Sequence, residues 1–299
     1  MNIACFGEIL WDNFKTGKKA GGAPMNVALH LHRQGAESRL ISSIGQDESG
    51  SGLVSFIKGY GLNTGLIQTH PALPTGQVEV ELDKAGHATY TITRPVAWDE
   101  IIFREDLESA ARQADAIVFG SLASRLPTSR ETLLKLLSLS KVKIFDMNLR
   151  PPHFDDRTLS VLLSNTDVLK INEDELAFLV KLYDLSSETT AELITELSTA
   201  CEVGTICLTM GQHGAMVLYK DKIYRHPGFR IKVADTVGAG DAFLATFVRN
   251  FLARESPWLV LERACAAGAI VASRAGANPE YSADEINNHS LHLNPEPQQ

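Results

Sequence analysis

The segment 233–247, VADTVGAGDAFLATF, holds the residues best suited to chemistry. Gly238, Ala239 and Gly240 carry little or no side chain, so a ligand can approach their backbone closely. The apolar run after them predicts a helix over 239–253, whose first amides would aim at that ligand. Free N–H groups and the helix dipole both favour negative charge there, which makes it a place for a phosphate. Asp241 falls in the first turn of this helix. Its carboxylate can complement the dipole, or it can act as a general base, taking a proton from a hydroxyl as that hydroxyl attacks a phosphoryl group. No G-x-x-x-x-G-K-[ST] run occurs, so a Walker-type phosphate loop is excluded.

Positioning such a site needs a framework, and the pattern supplies one. Strands are predicted at 3–9, 39–44, 62–68, 116–119, 142–145, 168–171 and 205–209. Helices are predicted at 23–33, 50–58, 127–137, 174–181, 189–200, 239–253 and 257–274. Strands alternating with helices imply a mostly parallel sheet covered on both faces. Asp146, Asn148 and Arg150 then follow the end of a strand, where α/β sheets place ligands. Thr209, Gly211 and Gly214, taken alone, read as a strand end and an ordinary tight turn. One region breaks the rhythm: 77–82 and 88–93 alternate around the turn 83–86 and predict an antiparallel hairpin, either decoration or a lid over a site at the sheet edge.

The composition narrows the classes. With 28 basic and 36 acidic residues among 299, the net charge is 28 − 36 = −8, which excludes a broad grip on nucleic acid or anionic lipid. Apolar residues at 44% and charged residues at 21% fit a globular protein that buries a sizeable core. No apolar run approaches the ~18 residues of a membrane span, and no basic n-region opens the chain, so a cytoplasmic protein is expected. Cys5, Cys201, Cys207 and Cys265 lack metal or disulfide spacing and read as small buried hydrophobes. No repeat or long linker divides 1–299, which reads as a single domain with a polar tail at 289–299.

GAGD in the setting DTVGAGDAF resembles the C-terminal signature of the PfkB (ribokinase-like) sugar kinases. Residues 21–50, GGAPMNVALHLHRQGAESRLISSIGQDESG, resemble their N-terminal signature. The similarity runs from GEILWD, starting at residue 7, to SRAGANP, ending at residue 279. Within the family, GEILWD, GGAPMNVA, RPVAWDE and DMNLRPP are most similar to bacterial fructokinases.

The resemblance implies a ribokinase-like three-layer α/β sandwich with a mostly parallel central sheet and a small β lid formed by about 11–20 and 76–93. It makes Asp241 the catalytic base and the amides of Gly238, Ala239 and Gly240 the anion hole. Asp12 and Asn26 match positions that hydrogen-bond sugar hydroxyls, Gly21 and Gly22 let the backbone approach the ring, and Arg150 matches a substrate contact. Asn172 and Glu175 match an N-x-x-E that organises magnesium through water, while Thr209, Gly211 and Gly214 match a turn under the nucleotide phosphates. Asp235 stands six residues before the base, where relatives hold a monovalent cation such as potassium; the carbonyls of Val237, Val271 and Gly276 are its expected partners. Glu280 replaces a serine common near that site, and His153 and Phe154 replace a common Leu-Trp.

The implied activity is transfer of the γ-phosphoryl of Mg-ATP to a primary hydroxyl of a small sugar, with fructose first. Ribose, 2-keto-3-deoxygluconate or a nucleoside are alternatives, as is a catalytically silent sugar or nucleotide sensor. The loop around Ala23 offers no cation, which argues against a phosphosugar. Pairing of two copies through a hairpin face with Val78, Val80 and Tyr90 is a further expectation.

Overall fold

In β1 (Asn2–Phe6), Ala4 and Phe6 point to one side and Ile3 and Cys5 to the other, and all four are fully buried. A strand buried on both faces needs cover on both, and two apolar clusters provide it. Phe6, Phe119, Phe145, Leu169 and Ile206 belong to one. Ile3, Cys5, Val118, Ile144 and Cys207 belong to the other. The computed structural model describes residues 1–15, 17–82 and 88–290.

The chain continues through β2 (Leu10–Phe14), β3 (Gly17–Gly21), α1 (Ala23–Arg33), β4 (Glu37–Gly45), α2 (Glu48–Gly59) and β5 (Ile67–His70). Pro24 opens α1, and Gly35, at φ +82°, lets the chain leave it. The hairpin β6 (Gly76–Leu82) and β7 (Ala88–Ile92) follows, then α3 (Glu105–Gln113), β8 (Ala116–Gly120), α4 (Pro127–Leu137) and β9 (Lys143–Asp146). After these come α5 (Asp156–Leu163), β10 (Val168–Asn172), α6 (Glu173–Leu182), α7 (Thr190–Cys201) and β11 (Thr205–Thr209). The last elements are β12 (Ala215–Tyr219), β13 (Lys222–His226), α8 (Ala239–Leu252), α9 (Pro257–Ala272) and α10 (Ala283–Ser290).

The large sheet runs β13-β12-β11-β10-β9-β8-β1-β4-β5. Neighbours from β11 to β5 are parallel, while β12 and β13 turn back antiparallel. Chain order runs outward in opposite directions from β1 and β8, which makes their boundary the switch point where carboxyl ends open a crevice. A separate small sheet, β3-β2-β6-β7, is the expected lid.

Several expectations need correction. The first strand stops at Phe6 rather than residue 9, and Leu10–Phe14 joins the lid, where Leu10 packs on Val78. The third strand lies at Ile67–His70 rather than 62–68, because buried Leu62 belongs to a loop that packs into the core. Val78 is 4% exposed and faces Leu10, so it does not belong to an exposed pairing face. The side chains of Val80 and Tyr90, the turn 83–86 and the tail 291–299 lie outside the described residues. The four cysteines are buried and free, as expected.

Candidate active site

The chain enters α8 at Gly238, whose φ of +78° and tight fit against Ala277 O leave no room for a Cβ. That turn delivers Asp241 to the first turn of α8. Asn26, in the first turn of α1, donates through Nδ2 to Asp241 Oδ2 at 2.8 Å. Asn278 in turn donates through Nδ2 to Asn26 Oδ1 at 2.7 Å. Burial pushes the Asp241 carboxyl up to about 6, helped by the charge of Asp146 and opposed by Asn26, Lys170 and Arg150. A carboxylate tuned there is mostly ionised at neutral pH yet basic enough to receive a hydroxyl proton.

Opposite charges surround it. Lys170, from the buried strand β10, places Nζ 2.9 Å from Asp146 Oδ1 at the end of β9, with 8% and 5% side-chain exposure. Burial works against the lysine's charge, but Asp146, Glu175 and Asp241 together hold its pKa at about 12. The Nζ lies 3.7 Å from the point a Gly240 Cβ would occupy, so this cation borders the start of α8.

Glu8, just past β1, is 4% exposed, and its Oε2 has no partner. Burial pushes its carboxyl up to about 7, with backbone N–H groups and Arg150 opposing and Asp241 adding to the rise. Asp12 on β2 is raised to about 6 by burial, against the pull of Arg150 and Lys19. Arg150 therefore acts on Glu8, Asp12 and Asp241 alike. A Cβ on Gly21 would overlap Asp12 Oδ2, and one on Gly22, at φ +116°, would overlap Glu8 O, so the glycine pair is what lets this wall close up.

The next strand ends carry the remaining residues. Asn172 and Glu175 form a capping box on α6: Asn172 Oδ1 accepts from Glu175 N, and Glu175 Oε2 accepts from Asn172 N, each at 2.9 Å. Glu175 Oε1 accepts from Leu149 N at 2.8 Å, which ties the loop bearing Arg150 to α6. Burial raises the Glu175 pKa, and Lys170 opposes that rise. Thr209 pairs with Asn172 in register and donates to Ile171 O at 3.2 Å. The turn after it needs glycine at 211 (φ +52°) and at 214 (φ +81°), where a Cβ would overlap His226 O. The hairpin turn expected from sequence alone is present: residues 210–214, with a short 3-10 turn at Gly211–His213, join the antiparallel strands β11 and β12.

Asp235 clamps the loop before α8. Its Oδ1 accepts from Val237 N and its Oδ2 from Gly276 N, both at 3.1 Å. The Val271 carbonyl accepts from Arg274 N at 3.0 Å, within the end of α9. Among the described residues no group of three or more His, Cys, Asp or Glu is arranged to hold a metal ion. A magnesium ion here would take most of its oxygens from phosphate and water, an arrangement that suits a single nearby carboxylate such as Glu175.

The structure thus brings Asp12, Gly21, Gly22, Asn26, Arg150 and 238–241 to one side of the crevice. It sets Asn172, Glu175, Thr209, Gly211 and Gly214 along the adjoining strand ends. Sequence reasoning missed Glu8, Lys170 and Asn278. Lys170 had a signal, as a charge inside the apolar run VLKIN, and Glu8 sits within GEILWD. Asn278 lies within SRAGANP, but its role comes from a partner 252 residues away.

A family model described as pfkB family carbohydrate kinase matches residues 2–284. Fructokinase-2 of Solanum habrochaites is 26% identical over 306 residues, covering 93% of this chain and 92% of the relative. The 2-dehydro-3-deoxygluconokinase of Thermoproteus tenax is 27% identical, with 87% and 82% covered. The fold is shared with fructokinase from Xylella fastidiosa solved with bound ATP, at a TM-score of 0.84 and 23% identity over 97% of this chain and 98% of that one. The chain belongs to the pfkB family of carbohydrate kinases and has its ribokinase-like fold; it is a phosphotransferase that acts on a sugar hydroxyl.

Proposed function

We propose that this carbohydrate kinase transfers the γ-phosphoryl of ATP to a primary hydroxyl of fructose. The observation that carries this reading is the Asp241 carboxyl, held by Asn26 at the glycine-lined start of α8 with a pKa raised to about 6. The sugar hydroxyl gives its proton to Asp241, its oxygen forms a bond to the γ-phosphorus, and the bond from that phosphorus to the bridging oxygen breaks to release ADP. The amides of Gly238, Ala239 and Gly240, with Lys170 beside them, receive the negative charge that develops on the phosphoryl oxygens. When bound, magnesium neutralises charge across the phosphates, with Glu175 beside it.

In this reading Asp12, Asn26 and Arg150 hold the sugar against the walls that Gly21 and Gly22 keep narrow. Thr209, Gly211 and Gly214 shape the turn beneath the nucleotide, with Asn172 bracing the adjoining strand end. Asp235 and the carbonyls of Val237, Val271 and Gly276 are the candidates for a monovalent cation that orders the anion loop. Residues 1–299 act as one kinase domain with the small sheet as its lid.

A second reading, a sugar-acid acceptor such as 2-keto-3-deoxygluconate, is favoured by Arg150, a cation exposed at the crevice and available to a substrate carboxylate. ADP release from Mg-ATP across fructose, ribose, the keto-deoxy acid and a nucleoside separates the two. Fructose is expected to give the highest kcat/KM. Turnover of the keto-deoxy acid alone selects the second reading, and no turnover with any of them leaves the silent sensor.

A further inference from the structure

Asp241 can accept the Asn26 hydrogen bond only if the amide turns its Nδ2 toward it. Asn26 Oδ1 must then look the other way, where Asn278 Nδ2 stands at 2.7 Å as the donor. The orientation of both amides follows outward from the base. The backbone of Asn278 is held firmly, while its side-chain Oδ1 is buried without a partner. The backbone on either side of it is clamped to α1: Ala277 O meets His30 Nε2 at 3.0 Å, and Pro279 O accepts from Arg33.

His30 is fully buried with its pKa pushed down to about 4, so it is neutral. A neutral ring that donates from Nε2 must accept at Nδ1, where the Tyr281 hydroxyl lies 2.8 Å away. Tyr281 in turn accepts from Gln34 Nε2 at 3.1 Å. This one-way chain of donors fixes 277–281 on the helix that carries Asn26.

We propose that Asn278 is a positioning residue that, by donating to Asn26 Oδ1, holds the Asn26 amide with Nδ2 facing Asp241. An amide free to flip would serve either state, donating to the carboxylate or accepting from the protonated acid. A locked amide serves the carboxylate better, and hydrogen bonding to the charged form favours that form. Asn278 thus keeps Asp241 ionised further into acid, against Asp146, which raises its proton affinity, and alongside Lys170 and Arg150, which lower it. The inference rests on Asp241 being the catalytic base and adds a residue from the far end of the chain.

Asn278→Leu removes the donor at similar size without adding charge. With the sugar that the wild type turns over best, the acid limb of kcat/KM should move up by about half to one pH unit, while kcat at pH 8 changes by less than about threefold. In an Asn26→Ala background, which has no amide to lock, the same change should leave the limb in place. Carboxyl titration by carbon-13 NMR, with Asp241→Asn to assign the resonance, should show the same upward shift without any substrate. Failure of the kinase reading would appear as no turnover by the wild type, whereas this titration still decides the role of Asn278. Asn278→Ala provides the same comparison should the leucine variant not fold. A uniform loss of rate with an unmoved limb, or an unchanged Asp241 titration, overturns the proposal.

Discussion

Two sides of one crevice reach their shape by different means. Around Asp241, the buried carboxyls of Glu8 and Asp146 and the buried cation Lys170 converge with Asp12 and the exposed Arg150, and Asp241, Glu8 and Asp12 are raised to about 6 or 7. Around Thr209 to Gly214 the form is backbone geometry: two glycines with positive φ, an exposed turn, and a strand start tight against His226. Charges in low dielectric tune proton transfer, while a turn of bare backbone presents amides whatever the pH. Substitutions on the first side should therefore alter pH profiles, and those on the second should alter nucleotide affinity alone.

The sharpest test is Asp241→Asn, which should lower kcat by about 10³-fold. Calorimetric ATP affinity should stay within about twofold, since the turn across the crevice is untouched. The same variant has a stability signature. The folded-state pKa of about 6 lies above an unfolded value near 3.9, so folding favours the protonated acid. The cost of ionised Asp241 builds between about pH 4 and 6 and is fully present above that window. Asp241→Asn should raise Tm by about 2–5 °C at pH 8 and by much less at pH 4. An equal gain at both would show that the carboxyl is not held against its charge.

Next in size is Gly214→Ala. Displacing the turn from His226 should raise KM for ATP by about 10²-fold and leave the pH profile where it was. A shifted profile would break the division between the two sides. Arg150→Ala should raise KM for the sugar about tenfold and move the acid limb of kcat/KM upward, because Glu8, Asp12 and Asp241 all lose its field. An unmoved limb would remove Arg150 from the charged side. Smallest is Glu8→Gln. Near pH 6 Glu8 is already mostly protonated, so the limb should fall by only ~0.2–0.3 units in this coupled pair. A larger fall would mean that Glu8 is ionised beside the base.

Much of the framework was legible because the elements obey one period over many residues. α8 was expected at 239–253 and spans Ala239–Leu252; β11 was expected at 205–209 and spans Thr205–Thr209. The lid strand β2 and the late start of β5 were not so clear. Leu10 owes its burial to Val78 on β6, Trp11 to the core and to α2, where Trp11 Nε1 donates to Ser49 O, and Leu62 to a loop path into the core. Periodicity within a segment does not encode such contacts. The site shows the same divide. A glycine at positive φ and a carboxylate at a helix start are local facts, readable at Gly238 and Asp241. The unpaired Glu8 oxygen and the Asn278 lock arise only when distant segments meet.

That meeting has a consequence for biosynthesis. Asn26 and His30 leave the ribosome early, but their partners Asn278, Ala277 and Tyr281 emerge about 250 residues later. At ~5–20 residues per second, the helix that carries Asn26 waits on the order of ten to fifty seconds before its buried imidazole and amides find their partners. Until then α1 presents polar groups meant for an interior, which is a window for chaperone capture. A nascent chain stalled before residue 276 would hold every strand among the described residues yet lack the segment that closes onto Asn26.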